Sequence, residues 1–432
     1  MMNSKIHMRV KGEEWYAVIF SFVYYFCILG AYYIMRPIRD QLAVEVGSAQ
    51  LPWFFAATFV ATLLLTPLFS CLTSRWPRRT IMPLVNLLFI VCQLIFIFLL
   101  NHKDLISIQT LGLIFFVWVS IFNLFMVSVF WSFMTDIWDD LQARRLFPLI
   151  ALGGTAGAIM GPIITRSAVE VLGLAFLLML SAAFLLLAVI CVLFLGNWAH
   201  KHGAHRHAAG NESALGGGML DGLKQIFTNP FIRCMSLMML LSDAIGTIAY
   251  VLVTDYSGAT FPHDAIAQTR FAANMDLSAN IIQIVVQLTV TRWLLVRYGA
   301  GSLFALWAAI SVVACLSMAF ALNPHVPILW GMPSVALVMI LTRSLSYGML
   351  QPARETLYTL VPRNLRYKGK NAVDTAVWRA GDVVSLVSIH GFQAMGMGIA
   401  GFGAIWAALA ATSGWIGWSL AHRVEKKDFE KN

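Results

Sequence analysis

The sequence WYAVIFSFVYYFCILGAYYIM, residues 15–35, is a mainly apolar run of 21 residues without a charge. A helix of about 20 apolar residues spans the hydrocarbon core of a bilayer, so this run predicts a membrane helix. It is too long for the apolar part of a signal peptide, and RPIRD at residues 36–40 follows instead of a small-residue cleavage site. We therefore expect the helix to stay in the protein and to be broken at Pro37.

The whole chain has the same apolar character. Of its 432 residues, 59% are hydrophobic and 12% are charged, and the mean hydropathy is +0.75. Soluble proteins contain about 45–50% apolar and about 25% charged residues. The composition therefore excludes ordinary soluble enzymes, disordered chains and disulfide scaffolds. The six cysteines include no CxxC pair and are interpreted as packing residues.

Twelve stretches are apolar enough and long enough to cross a membrane. The eighth and the eleventh are the least apolar, because each contains several polar residues. In chain order, spans 1 to 12 are 15–35, 52–74, 80–100, 106–133, 148–168, 171–196, 231–254, 272–296, 302–322, 327–350, 371–392 and 397–421. The sequence thus predicts an all-α membrane protein with twelve transmembrane helices.

The longest polar stretch divides these spans into two sets of six. The predicted domains are an N-terminal half, a linker, and a C-terminal half with a short tail, at residues 1–196, 197–230 and 231–432. With the N-terminus in the cytoplasm, 23 of the 30 lysines and arginines face the cytoplasm and five face outward. This bias follows the positive-inside rule. It predicts cytoplasmic termini in a bacterial inner membrane, and it explains the net charge of +9 without nucleic acid.

Two six-helix sets with a cytoplasmic linker resemble the plan of the major facilitator superfamily, whose halves rock about a site at the midplane. The loop SCLTSRWPRR, residues 70–79, resembles the superfamily signature between spans 2 and 3, with Ser74 where an aspartate is expected. Residues 291–299 lie at the matching place in the second half. The resemblance implies a secondary transporter with two six-helix halves.

Span 5 contains a stripe of small residues. Gly153, Gly157 and Gly161 repeat every four residues before Pro162. This spacing lets two helices pack closely. The stripe also partly resembles the Gly-Pro motif of superfamily antiporters, but close packing is the interpretation that the spacing favours.

Ten ionisable residues lie within the spans or at their ends, where a charge costs about 2.5–3.5 kcal/mol. An arginine facing a cavity suits a carboxylate or phosphate, which its planar group binds with two hydrogen bonds. The candidate substrate-binding residues are Arg36, Arg39, Arg343, Arg354 and Arg379. The candidate coupling or counter-ion residues are Asp40, Asp243, Asp276, Asp374 and Asp382.

Structural roles compete with these functional ones. Arg379 and Asp382 are three residues apart on one helix face and could simply neutralise each other. Arg354 could form a solvated pair with its neighbour Glu355. Asp243 and Asp276 could each carry a coupling proton or balance a buried arginine. The sequence does not choose between these alternatives.

The same polar segments resemble the nucleotide (ATP/ADP) translocases of plastids and obligate intracellular bacteria. Three regions carry the resemblance: YIMRPIRD at 33–40; FWSF at 130–133 with ARRLFPL at 143–149; and PARE at 352–355 with KGKNAVD at 368–374. These regions lie in both halves, so the resemblance plausibly covers the whole chain. It implies a facilitator-like fold and a cavity that accepts anions.

The resemblance places Arg39 and Arg354 where the family has two important lysines. The family's two important glutamates, in the fourth and seventh spans, fall near Phe125 and Leu252, and neither of these residues is acidic. A planar guanidinium is not equivalent to an ammonium at a binding site. The resemblance therefore implies a divergent member with another substrate.

The leading hypothesis is a secondary carrier of a small organic anion, working by alternating access and driven by protons or by exchange. A proton-coupled carrier or exporter of a siderophore-like or drug-like solute is the alternative within transport. An intramembrane enzyme acting on lipid-linked substrates is disfavoured, because the chain has no hydrolase, zinc-protease or phosphate-loop motif. No cofactor, metal, nucleic acid or obligate protein partner is expected; the predicted partners are the substrate, lipid and protons. The linker histidines at 200, 202, 205 and 207 are too irregularly spaced to predict a metal site.

Overall fold

The computed structural model describes residues 12–75, 78–102, 104–138, 140–201, 219–319, 327–329, 331–362, 369–370 and 373–429. Half of the linker, including three of its four histidines, lies outside these ranges. The basic segment 363–368 and the side chains of the loop at 70–79 also lie outside the description.

The described chain is almost entirely helical. Single 3₁₀ turns at Gly12–Glu14 and Ser48–Gln50 precede the first two long helices, and π-helical turns interrupt the second half at Gln287–Thr291, Ser346–Leu350 and Val373–Val377. The helices are α1 Trp15–Val46, α2 Leu51–Arg75, α3 Arg78–Asn101, α4 Ile108–Ile137, α5 Asp140–Lys201, α6 Met219–Thr228, α7 Pro230–Thr260, α8 Ala265–Val286, α9 Arg292–Ala319, α10 Ser334–Leu345, α11 Gln351–Thr359, α12 Trp378–Ala394 and α13 Ile399–Phe429.

Glycines divide the longest helical stretches. A straight helix of the length of α5, 62 residues, would measure about 90 Å, three times the thickness of the hydrocarbon core. Gly173 breaks it with φ 74°, a conformation that a residue without Cβ adopts readily. Gly299 breaks α9 in the same way with φ 75°. Each break therefore separates two membrane spans.

The described helices account for the twelve predicted spans. Eight segments are long and apolar enough to cross a membrane, and two of these, Arg145–Lys201 and Ala265–Met318, are the pairs divided by the two glycines. The remaining two spans are the helical stretches at 334–359 and 373–394. These are the stretches that carry five of the ten candidate site residues, and their polarity lowers their hydropathy.

Two local predictions were wrong. Pro37 does not break the first helix, because α1 continues to Val46 with the proline inside it. Proline removes one backbone hydrogen bond there, and the packing of α1 against α4 and α5 offsets that loss. Span 10 begins later than predicted: Pro327–Leu329 and Met332–Pro333 pair as short antiparallel strands before α10, because their prolines favour extended backbone.

The described residues fall into two compact units. One lies within Met1–Val46, Val60–Glu212 and Asp264–Leu277, and the other lies within Gly47–Phe59, Ser213–His263 and Ser278–Asn432. The boundaries at 196 and 230 stay a prediction. In the first unit α1 packs on α4 and α5, around buried aromatic residues such as Phe115, Phe122 and Phe130. In the second unit α13 packs on α7 and α9.

The glycine stripe of span 5 lies against α1. A Cβ on Gly153 would lie 2.2 Å from the Phe22 carbonyl oxygen, and one on Gly157 would lie 2.4 Å from that of Phe26. At Gly161 the nearest atom would be the Tyr33 Cβ, at 2.7 Å. The two backbones are therefore too close for any side chain, as the packing interpretation of the stripe requires.

Large apolar side chains lie exposed along the spans. They include Leu88 and Ile95 on α3, Leu186 on α5 and Val387 on α12, each more than half exposed. Apolar surface of this extent is stable in lipid and not in water. The outer faces of these helices therefore contact the hydrocarbon core.

The α1–α5 contact yields the first prediction. Gly157→Ala adds only a methyl group, but that group overlaps the α1 backbone, so we expect a lower thermal unfolding temperature in detergent and less folded protein. The matched control is Gly391→Ala on α12, where a Cβ meets nothing within 4 Å. Alanine is favoured over glycine in a helix by about 1 kcal/mol, so the control should be as stable as the wild type or more so. Equal unfolding temperatures for the two variants would contradict the close packing.

Candidate functional site

Nine of the ten ionisable residues predicted from the sequence are brought into three clusters. The α1 cluster is Arg36, Arg39, Asp40 and Asp276. The α11 cluster is Arg354, Glu355, Lys370 and Asp374. The α12 cluster is Arg379, Asp382 and Asp243. The tenth residue, Arg343, lies half-buried in the last turn of α10, just before the π-helical turn Ser346–Leu350.

The α1 cluster is a balanced set of two cations and two anions. Arg36 Nη1 lies 3.3 Å from Asp276 Oδ1, and the Asp276 side chain is only 3% exposed. Arg39 Nη2 donates to Asp40 Oδ1 at 2.6 Å, and its guanidinium lies 4.8 Å from the centre of the Phe116 ring. Each arginine of this cluster therefore already has a carboxylate of the protein as a partner.

The α11 cluster also contains two cations and two anions. Arg354 is the most deeply buried of them, with its side chain 4% exposed. Its Nη1 lies 2.8 Å from Asp374 Oδ1, and its Nη2 lies 3.3 Å from Glu355 Oε1. The other Glu355 oxygen accepts from Lys370 Nζ at 2.5 Å. Glu355 thus bridges the two cations, while its own side chain is 41% exposed.

An aromatic residue completes this cluster. Lys370 Nζ lies 5.7 Å from the centre of the Tyr358 ring, within the range of a cation–π contact. The Tyr358 side chain is buried, and its phenol carries no charge at neutral pH. The cluster therefore offers an anion two cations and a neutral aromatic surface.

The α12 cluster is not balanced. Arg379 Nη1 lies 3.5 Å from Asp382 Oδ2, and Thr247 donates to Asp382 Oδ1 at 3.2 Å. The Asp243 carboxyl is within hydrogen-bonding reach of Asp382 and of the Trp378 indole. Two carboxyl groups therefore share one guanidinium.

One face of α7 contacts both clusters of the second unit. Met239, Asp243 and Thr247 are spaced four residues apart and so lie on the same helix face. Arg354 Nη1 contacts Met239 Sδ at 2.6 Å, whereas Asp243 and Thr247 contact Asp382. A rise of 1.5 Å per residue separates successive contacts by about 6 Å along the helix. The α11 and α12 clusters are therefore neighbours along α7.

Several residues of these sites were missed by the sequence analysis. Met239, Thr247 and Trp378 carry no charge, yet each stands four residues from an aspartate on its own helix. That spacing is the signal that could have found them. The analysis also missed a buried ion pair between Glu14 and Arg145, in which Gln142 donates to the same carboxylate at 2.9 Å.

Comparison with known proteins identifies the family. A family model described as the Major Facilitator Superfamily matches residues 18–370, which is more than half of the chain. The chain belongs to the Major Facilitator Superfamily. Proteins of this superfamily are transporters that carry small molecules, so this facilitator is an integral membrane transporter and not an enzyme. A search of curated proteins finds no match.

Solved structures share the fold of this facilitator. The crystal structure of the nucleoside transporter NupG matches with a TM-score of 0.63 at 16% identity, over 95% of this chain and 98% of that one. A bacterial homologue of the iron transporter ferroportin gives 0.65 at 12% identity, over 94% and 99% of the two chains. The D-xylose-proton symporter gives 0.64 at 11% identity, over 94% and 98%. At these identities the likeness shows the fold alone: twelve transmembrane helices in two six-helix halves.

The buried pair of the α1 cluster yields the second prediction. Among the described carboxylates, Asp276→Asn leaves Arg36 with Asp40, 3.9 Å from its Nε, and breaking a buried pair costs about 3–5 kcal/mol. We expect a clear drop in the unfolding temperature of this facilitator in detergent. The double variant Arg36→Gln/Asp276→Asn removes both charges and should regain part of the lost unfolding temperature.

The matched control is Glu170→Gln. Glu170 pairs with Arg270 in the same unit, but both side chains are about half exposed. Exposed ion pairs contribute about 0–1 kcal/mol, so this variant should unfold close to the wild-type temperature. Equal decreases in unfolding temperature for Asp276→Asn and Glu170→Gln would show that the Arg36–Asp276 pair stabilises the protein no more than an exposed pair does.

Proposed function

We propose that this facilitator is a secondary carrier of a small organic anion and that Arg354 binds the anionic group. The observation that supports this most directly is the position of Glu355. Its carboxylate lies between Arg354 and Lys370, which is where a carboxylate or phosphate of a substrate would bind. Glu355 therefore acts as the occupant of the anion position in the absence of substrate.

Displacement of Glu355 by a substrate is inexpensive. Its side chain is 41% exposed and can turn into water, and its pair with Lys370, which is itself 30% exposed, contributes about 1 kcal/mol or less. Asp374 stays on Arg354 at 2.8 Å. Once Glu355 has left, two cations face one anion, and the excess positive charge attracts an anionic substrate.

Arg354 has the right chemistry for this role. Its planar group can hold Asp374 and an incoming carboxylate at the same time, which an ammonium cannot do with the same geometry. The resemblance to the nucleotide translocases places one important cation at this position and the other at Arg39. We propose that Arg39 of the α1 cluster also contacts the substrate, and that the substrate differs from ATP and ADP.

The experiment is counterflow in proteoliposomes at equal pH on both sides, with labelled ATP, ADP, inorganic phosphate, citrate and glutamate as probes. Counterflow needs no driving force, so it tests substrate binding and translocation alone. Arg354→Ala should abolish counterflow of the probe that the wild type carries. Arg423→Ala, which removes an exposed arginine of α13, should leave it unchanged. Wild-type counterflow in a folded Arg354→Ala variant would refute the assignment.

Glu355→Gln should change transport in the opposite direction. The amide keeps the shape of the side chain but cannot compete with an anion for Arg354 and Lys370. Removing a competitor that contributes up to about 1 kcal/mol should lower the half-saturating concentration roughly fivefold. A raised half-saturating concentration would mean that Glu355 helps to bind the substrate instead of standing in for it.

We also propose that the carrier lies in a bacterial inner membrane with both termini and the linker in the cytoplasm. The distribution of lysines and arginines supports this orientation. A cysteine introduced into the linker of a cysteine-free variant should react with an impermeant reagent only after the cytoplasmic side is opened. Labelling of this cysteine in intact cells would show that the linker faces outward and would contradict the proposed orientation.

A further inference from the structure

The Asp243 carboxyl presents a charge that the described protein does not balance. Its Oδ2 atom is buried, and no described residue donates a hydrogen bond to it. Asp382, its neighbour, is 6% exposed. Thr247 and Trp378 donate to this pair but carry no charge. Two buried carboxylates beside the single guanidinium of Arg379 would leave one negative charge uncompensated.

The other two clusters differ in this respect. Asp276 and Asp40 face two arginines, and Asp374 and Glu355 face Arg354 and Lys370, so both clusters are neutral with every group ionised. The sequence left Asp243 and Asp276 as equal candidates for proton coupling. The structure separates them, because Asp276 already has a cation of its own.

The charged groups on the elements packed against α7 do not remove the excess. α13 contributes none before its last two turns, which begin at residue 422. The others are Asp382 and Arg379 on α12, Asp374 on the π-helical turn, Arg343 on α10, and Asp221 and Lys224 on α6. Of these, Asp382 and Arg379 lie close enough for their charges to act on Asp243. Asp374 is held by Arg354.

We propose that Asp243 and Asp382 together bind one proton and that this facilitator is therefore a proton–anion symporter. The proton lies between the two carboxyl groups, bonded to Asp243 Oδ2 or to the facing Asp382 oxygen, and turns two like charges in contact into a hydrogen bond. It enters from the outer aqueous phase and leaves to the cytoplasm, and no bond of the substrate changes. This inference rests on the proposed function for its substrate, but not for the proton site itself.

The shared face of α7 connects proton binding with anion binding. Asp243 lies one helical turn from Met239, which contacts Arg354. An anion at Arg354 is repelled by the excess charge of the unprotonated pair, and that repulsion disappears when the proton binds. Linkage is reciprocal, so bound anion must also strengthen proton binding. One proton per anion follows from one shared proton site.

Infrared difference spectroscopy tests the proton site without any substrate. The purified carrier in lipid should show the C=O band of a protonated carboxyl group at neutral pH, shifted in heavy water and lost at alkaline pH. Asp243→Asn and Asp382→Asn should each lose this band, because either remaining carboxylate is balanced by Arg379. Glu170→Gln, which changes an exposed acid, should keep it. A wild type without the band, or a band that survives in both variants, overturns the proposal.

Transport then tests coupling, with the probes used for counterflow. An inward pH gradient should drive accumulation of the transported probe in the wild type, and Asp243→Asn should lose the stimulation by the gradient. Should Asp243→Asn fail to fold, Asp382→Asn provides the same test. Counterflow in the wild type without any effect of the gradient would overturn the symport proposal and leave the proposed function standing. Absence of counterflow for every probe would count against the proposed function, and the infrared result would still decide the proton site.

Discussion

The low dielectric of the membrane interior governs the arrangement of this protein. An ionised side chain at membrane depth costs about 2.5–3.5 kcal/mol even on the lenient insertion scales. The chain places ten such residues in or near its spans, and nine of them lie in the three clusters. The α1 and α11 clusters reach neutrality with protein groups alone. Among the described residues, the α12 cluster does not reach neutrality, because two carboxyl groups share the guanidinium of Arg379.

The helices could be predicted because their signal is local. Twenty apolar residues form a helix in lipid whatever surrounds them, since the backbone has no other partner for its hydrogen bonds. The exceptions are also instructive. A proline has the same local effect in any helix. Whether α1 continues past Pro37 depends on the helices packed beside residues 36–46. The sequence of α1 alone does not contain that information.

The candidate residues could be predicted by type, but not their partners. Charges in an apolar stretch stand out in the sequence, so all ten were found. The pairing of Arg36 with Asp276, 240 positions apart, depends on which faces of α1 and α8 meet. The glycine stripe is the exception among tertiary contacts, because a face without side chains predicts close approach by itself. The neutral members Met239, Thr247 and Trp378 carry only the weaker signal of a four-residue spacing from an aspartate, and their contacts show which neighbours they have.

The position of both second-unit clusters on α7 has a mechanical consequence. A carrier must avoid moving with only one of its two ligands bound, since that would dissipate the gradient. If the anion site and the proton site lay on separate helices, a further structural element would be needed to couple their conformations. Here Met239 and Asp243 are fixed one turn apart on a rigid helix, so a displacement of α7 that alters the surroundings of Asp243 also moves the contact with Arg354. The electrostatic argument and the mechanical one therefore favour the same pairing of an anion with a proton.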